Sequence, residues 1–172
     1  MAFLSLITIW LPPIFLSAVF LAAFYIYLCH KARFQKADWK LPALLNYKTL
    51  IVGLILFYFL YAVLKTFGQY YAWSDDSLSR YLLSPYQPIG YFVSYSWMHF
   101  WLGSFLNIGV SFIFYFFLRL LVLRESAIFR KEEAEMVFLG ALLSGWPGVL
   151  LFAPMVFIFA LLASASAHFF KK

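Results

Sequence analysis

Residues 136–170 read MVFLGALLSGWPGVLLFAPMVFIFALLASASAHFF, 35 residues with no Asp, Glu, Lys or Arg, and how this run divides decides the fold. As one helix it would be about 52 Å long at 1.5 Å per residue. A hydrocarbon core is only about 30 Å thick. The break point is written in the middle, at Ser144-Gly145-Trp146-Pro147-Gly148, where two glycines and a proline oppose helix and Trp favours the membrane interface. The first reading is an amphipathic helix over 125–144 along the cytoplasmic face, a turn at Gly145–Gly148, and a span over 149–170 kinked at Pro154. The second is a single tilted helix bent at both prolines.

Three further runs of the required ~20 apolar residues lie at 3–29, 49–68 and 91–123. Pro12 and Pro13 interrupt the first and predict a kink, or a short lead-in with the span proper starting at the prolines. The expected fold is therefore all-α: one polytopic membrane domain, 1–172, with four transmembrane helices and interfacial amphipathic segments near 31–47, 75–84 and 125–144.

Composition agrees. The chain is 65% hydrophobic, 23% aromatic and 12% charged, about half the charge of a soluble domain. All 13 bases and 7 acids can be placed outside the apolar runs or at their rims. That leaves no carboxylate in the interior, where a proton-coupled transporter normally keeps one. The net charge of +6 calls for no nucleic acid. Nine of the thirteen bases fall in the first and third connecting segments, Lys31–Lys48 and Arg119–Lys131. The positive-inside bias then puts those segments in the cytoplasm, against anionic lipid, and both termini outside, as in a bacterial inner membrane. No base precedes the first apolar stretch, so a retained span is expected rather than a signal peptide. Cys29 stands alone, which forbids an internal disulfide. Six tyrosines and Trp73 between Gln69 and Tyr95 read as one side of an aromatic belt, with Ser74–Ser77 capping a short helix that ends at Ser84-Pro85.

The third span carries a polar file: Ser96, His99, Gly103, Asn107 and Ser111. At 100° per residue these fall within about 120° of one another, a face that avoids lipid. Gly140, Ser144 and Gly148, and the small-residue face of Ala160, Ala163, Ser164 and Ala167, are candidate packing partners. Asn107 is the least replaceable of the file, because an unpaired amide at mid-membrane is costly.

Chemistry is sparsely marked. Residue spacing puts His99 and His168 each at the outer membrane boundary on neighbouring helices, the arrangement by which b-type membrane cytochromes hold haem, so haem b or quinone binding is the cofactor candidate. No carboxylate or cysteine completes a metal set around them. No nucleophile elbow, zinc motif or phosphate loop is present. The adjacent Asp75 and Asp76 suit capping and charge balance with Arg80 better than catalysis. The chain therefore reads as a non-catalytic membrane subunit or scaffold, partnered by other integral membrane subunits of a respiratory, secretion or transport complex. The alternatives are an electron-transfer anchor using His99 and His168, and a small channel or lipid-handling protein lined by the Ser96–Ser111 face.

Overall fold

The computed structural model describes residues 2–34, 46–124 and 131–169. Among these the chain is helical throughout and has no strand. The elements are α1 (Ala2–Phe34), α2 (Tyr47–Asp75), a 3₁₀ turn (Ser79–Leu82), α3 (Ile89–Ser96), a π turn (Trp97–Trp101), α4 (Leu102–Arg124), α5 (Lys131–Ser144) and α6 (Val149–Phe169). Three helical stretches are long and apolar enough to cross a membrane: Thr8–Cys29, Tyr47–Asp75 and Ile89–Leu120, the last running through α3, the π turn and α4.

The first span does not start at the prolines. α1 continues through Pro12 and Pro13 as one helix. Pro12 has no N–H to give the carbonyl four residues back, which is that of Thr8. Tyr61 of α2 supplies the donor instead, its hydroxyl 2.7 Å from the Thr8 oxygen. A neighbouring helix thus satisfies the group the proline frees, as membrane helices require. Phe15 stacks on Phe57 at 4.0 Å in the same seam. Further along, Val19 and Ile26 join Tyr47, Ile51 and Leu54 in one buried cluster. α1 and α2 are therefore antiparallel.

α4 returns antiparallel to α2. Trp101 Nε1 donates to Thr66 Oγ1 at 3.1 Å, and Phe105 meets Phe59 edge-on at 5.5 Å. Lys65, half-buried in α2, lies over the Tyr61 ring at 4.9 Å, a cation–π contact that eases its burial. Beyond this level, Trp73, Leu83 and Phe92 form a separate buried cluster that ties the 3₁₀ turn and α3 to the end of α2. The short capped helix expected near 75–84 is this four-residue 3₁₀ turn, with Asp76 Oδ2 accepting the Ser79 N–H at 2.9 Å. The segment 31–47 lies outside the described residues except at its two ends, α1 through Phe34 and α2 from Tyr47.

The last third of the chain departs most from expectation. α5 is not an interfacial helix. It lies among α1, α2, α4 and α6, with Ala134, Glu135, Phe138, Leu139, Ala141 and Leu142 all buried. Phe138, Leu139 and Leu142 pack into the α1–α2 cluster. Ala141 packs with Phe114, Leu118 and Val149 in a second cluster on α4 and α6. A helix buried on opposite sides has no amphipathic stripe to present to a headgroup layer.

The register follows from individual contacts. Glu135, at the start of α5, is 3.8 Å from Lys48 at the start of α2. Leu142, near its end, meets Tyr58 and Asn107, near the middles of α2 and of the Ile89–Leu120 span. α5 therefore climbs to mid-height and stops. Gly145 then takes a left-handed φ of 67°, which glycine adopts without strain. α6 folds back along α5, the Phe152 ring lying against Gly140. It continues beside α4, where Phe157 packs edge-on to Phe114 and Phe117 at 5.5 and 5.9 Å. The pair α5–α6 is a helical hairpin whose turn stands beside the middle of the spans. The single bent helix is excluded by this reversal. Val149, where the expected fourth span starts, lies level with the middle of the other three. α6 runs toward the Arg119 end, whereas α1 begins toward the Asp75 end.

Candidate functional site

The polar file meets the hairpin at its turn. Asn107 is 1% exposed, and its Nδ2 donates to the Leu142 carbonyl at 3.0 Å. Tyr58 Oη donates to the same oxygen at 2.7 Å. Leu142 lies in the last turn of α5, where carbonyls have no partner further along the helix. Its remaining local donor is the Gly145 N–H at 3.3 Å. Two side chains from two other helices thus close the C-terminal end of α5. Ser144 Oγ adds to this by donating back to Ala141 O at 2.7 Å.

On the far side of the turn the first amides of α6 are also engaged. Val149 N donates to Gly145 O at 2.8 Å, while Leu151 N and Phe152 N each donate to Gly148 O at 3.0 Å. The break is closed on itself. Transporters that break helices at mid-membrane leave such ends pointing at substrate or ion; here chain atoms fill them.

The other members of the file divide by height. Ser111, fully buried, and Ser96, 3% exposed, have hydroxyls with no hydrogen-bond partner, and Asn107 Oδ1 is likewise unpartnered. Gly103 faces the turn, where an added Cβ would sit 3.9 Å from the Trp146 ring. Above Gly103 the hairpin no longer reaches, and there His99 is exposed. It lies on the π turn, its Nδ1 2.9 Å from Tyr95 O and its ring stacked on Tyr95 at 4.1 Å. π turns are rare and often mark functional positions, but this one carries the imidazole outward.

The partner positions are equally mixed. A Cβ on Gly140 would meet the Phe152 ring at 2.7 Å, so this glycine is what lets α6 lie on α5. A Cβ on Gly148 would run into the Ser144 carbonyl, so its role is inside the turn. Ser144 is exposed and caps locally instead of packing. The side chains of Ala160, Ser164 and His168 lie outside the described residues. The backbone of α6 nonetheless starts beside the middle of α4 and leads away from His99, so helix direction separates positions 99 and 168. A histidine pair at one boundary requires residues 149–170 to cross the whole core. The hairpin removes that premise.

Sequence reasoning missed Tyr58, Glu135 and Leu142. Glu135 is 7% exposed, a carboxylate buried one turn inside α5 beside Lys48. Tyr58 was hidden among the 34 Phe and Tyr residues of the chain, and a backbone carbonyl leaves no signature in side-chain patterns. Among the described residues no three His, Cys, Asp or Glu side chains gather as a metal site. No protein-family model, curated protein or solved structure matches the chain.

Proposed function

We propose that the chain is a non-catalytic integral membrane subunit, a scaffold within a larger membrane assembly of the respiratory, secretion or transport kind. The observation that carries this reading is the location of its polarity. The mid-height polar groups are turned inward, Asn107 at 1% and Ser111 at 0% exposure, and Asn107 holds the α5–α6 hairpin through the Leu142 carbonyl. The outward faces are left large and apolar: Ile113 is 70% exposed, and Phe112 and Phe116 lie beside it on α4. A channel or ligand groove along Ser96–Ser111 needs that file open, whereas a scaffold needs it shut. Electron transfer through a His99–His168 pair needs the two together, and the direction of α6 argues against it.

In this reading the hairpin is re-entrant, entering and leaving from the leaflet that holds Lys48 and Arg119. The positive-inside bias makes that leaflet cytoplasmic, in a bacterial inner membrane. The α5 entry point, with Lys131 and three glutamates nearby, then lies at the headgroups. Non-helical backbone at such depth is tolerated because protein surrounds it.

The test is native electrophoresis of the tagged protein in mild detergent. The expected species is well above the 20.0 kDa of one chain, contains other integral membrane proteins at fixed stoichiometry, and is weakened by Ile113→Ala with Phe116→Ala. A lone 20.0 kDa chain in two mild detergents would sink the proposal.

A further inference from the structure

A groove runs between α1 and the α5–α6 hairpin. Ala23, Phe24 and Tyr27 of α1, Gly140 and Leu143 of α5, and Val156 of α6 line it, enclosing about 400 Å³. A more open depression shares Phe20 and Leu143 with it and extends it past Leu16. The groove bears no charged side chain, and Tyr27 gives it a single hydroxyl. We propose that it holds one acyl chain of a bilayer phospholipid.

Depth is the first argument. Tyr27 precedes Cys29, the last residue of the first span, and Leu143 adjoins the hairpin turn at mid-height. The groove therefore occupies one leaflet's share of the hydrocarbon and opens sideways into it. Size is the second. Spread over the two helical turns from Phe20 to Tyr27, about 10 Å, its 400 Å³ average about 40 Å² in section. Open along one side to the bilayer, a slot of this size admits a flexible hydrocarbon chain without rearrangement. Water is a poor filler, because it needs two to four polar partners and the lining offers only Tyr27, with Ser17 in the open extension.

The lining also explains two residues that packing within the chain does not use. Phe24 and Tyr27 are 51% and 43% exposed although they point along the hairpin side of α1. An acyl chain laid between them and Val156 would cover both.

The full chain, reconstituted in phosphatidylcholine vesicles carrying a diazirine-tailed phosphatidylcholine, tests this by irradiation and peptide mapping. Peptides holding residues 20–27 and 136–143 are expected to be labelled about fivefold above the 112–117 peptide, whose exposed Phe112, Ile113 and Phe116 meet lipid when the chain is reconstituted alone, a modest site preference. Ala23→Phe, which fills the groove, should remove that excess without changing the 112–117 yield. Ala18→Phe, on an exposed face of α1, should change neither. Even labelling around the protein, or excess labelling that survives Ala23→Phe, overturns the proposal. So does a zero-length cross-link from the groove to another polypeptide. If Ala23→Phe fails to assemble, the wild-type pattern decides.

Discussion

Replacing Tyr58 by Phe and Asn107 by Leu, singly and together, measures what holds the hairpin turn. Tyr58→Phe removes the 2.7 Å donor to Leu142 O and leaves the 3.0 Å donor from Asn107. Interhelical hydrogen bonds in a membrane protein average about 0.6 and reach about 1.7 kcal/mol, so this change should cost about 1 kcal/mol. Asn107→Leu removes the other donor but also removes Oδ1, a buried acceptor with no partner. Loss and relief oppose each other, and the net cost should be only ~0–1 kcal/mol. In the double variant the carbonyl keeps just the 3.3 Å contact to the Gly145 N–H. It then carries most of the ~1–3 kcal/mol of an unsatisfied buried polar group. The double variant should therefore be less stable than the sum of the singles by about 1–2 kcal/mol. Reversible unfolding in mixed dodecylmaltoside and dodecylsulfate micelles, followed by tryptophan emission, gives the four free energies. Additivity within about 0.5 kcal/mol would refute a shared role for the two donors.

Other expectations follow from single contacts. Gly140→Leu drives a side chain into the Phe152 ring and should destabilise by about 1–3 kcal/mol in the same assay, with α6 lifted from α5; a neutral result would place Phe152 elsewhere. Tyr61→Phe strips the donor from the Thr8 carbonyl that Pro12 leaves free, at a cost of about 1 kcal/mol. Pro12→Ala restores the internal helix bond and should cancel much of that loss, so equal effects of Tyr61→Phe in both backgrounds would count against the pairing. Asp76 is held below the usual carboxylate range, chiefly by its hydrogen bonds to Ser79. A lowered folded pKa means the cap stabilises above the ordinary carboxyl value of about 3.9 and is lost as pH falls through the folded one. Near-ultraviolet dichroism of Trp73 should therefore loosen in acid below about pH 4 in wild type, and Asp76→Asn should lack that acid step.

The helices, three of the spans and the Gly145–Gly148 break were legible because each is a local matter of apolar length or of glycine and proline. Depth was not. The charges of Lys131–Glu135 look like a solvated surface, and only the contacts with α2 and α4 show that Ala134 and Glu135 are enclosed. Asn107 stands out in the sequence as a mid-span amide and is buried and hydrogen-bonded, but its partner is a carbonyl, and carbonyls are identical at every position of a sequence. The same blindness made His168 a neighbour of His99: counting residues from Val149 gives a height only when the height of Val149 is known.

The hydroxyl of Tyr58 and the carbonyl it holds are 84 residues apart, and that separation has a meaning in time. During synthesis α2 and α4 emerge first, and α4 presents Asn107 and Ser111 before the segment that covers them exists. The nascent protein passes through a stage with an open polar stripe and an unmated tyrosine at the centre of its fold. Docking of the hairpin ends that stage, which makes it the step at which a maturing chain becomes indistinguishable, to its surroundings, from an apolar post.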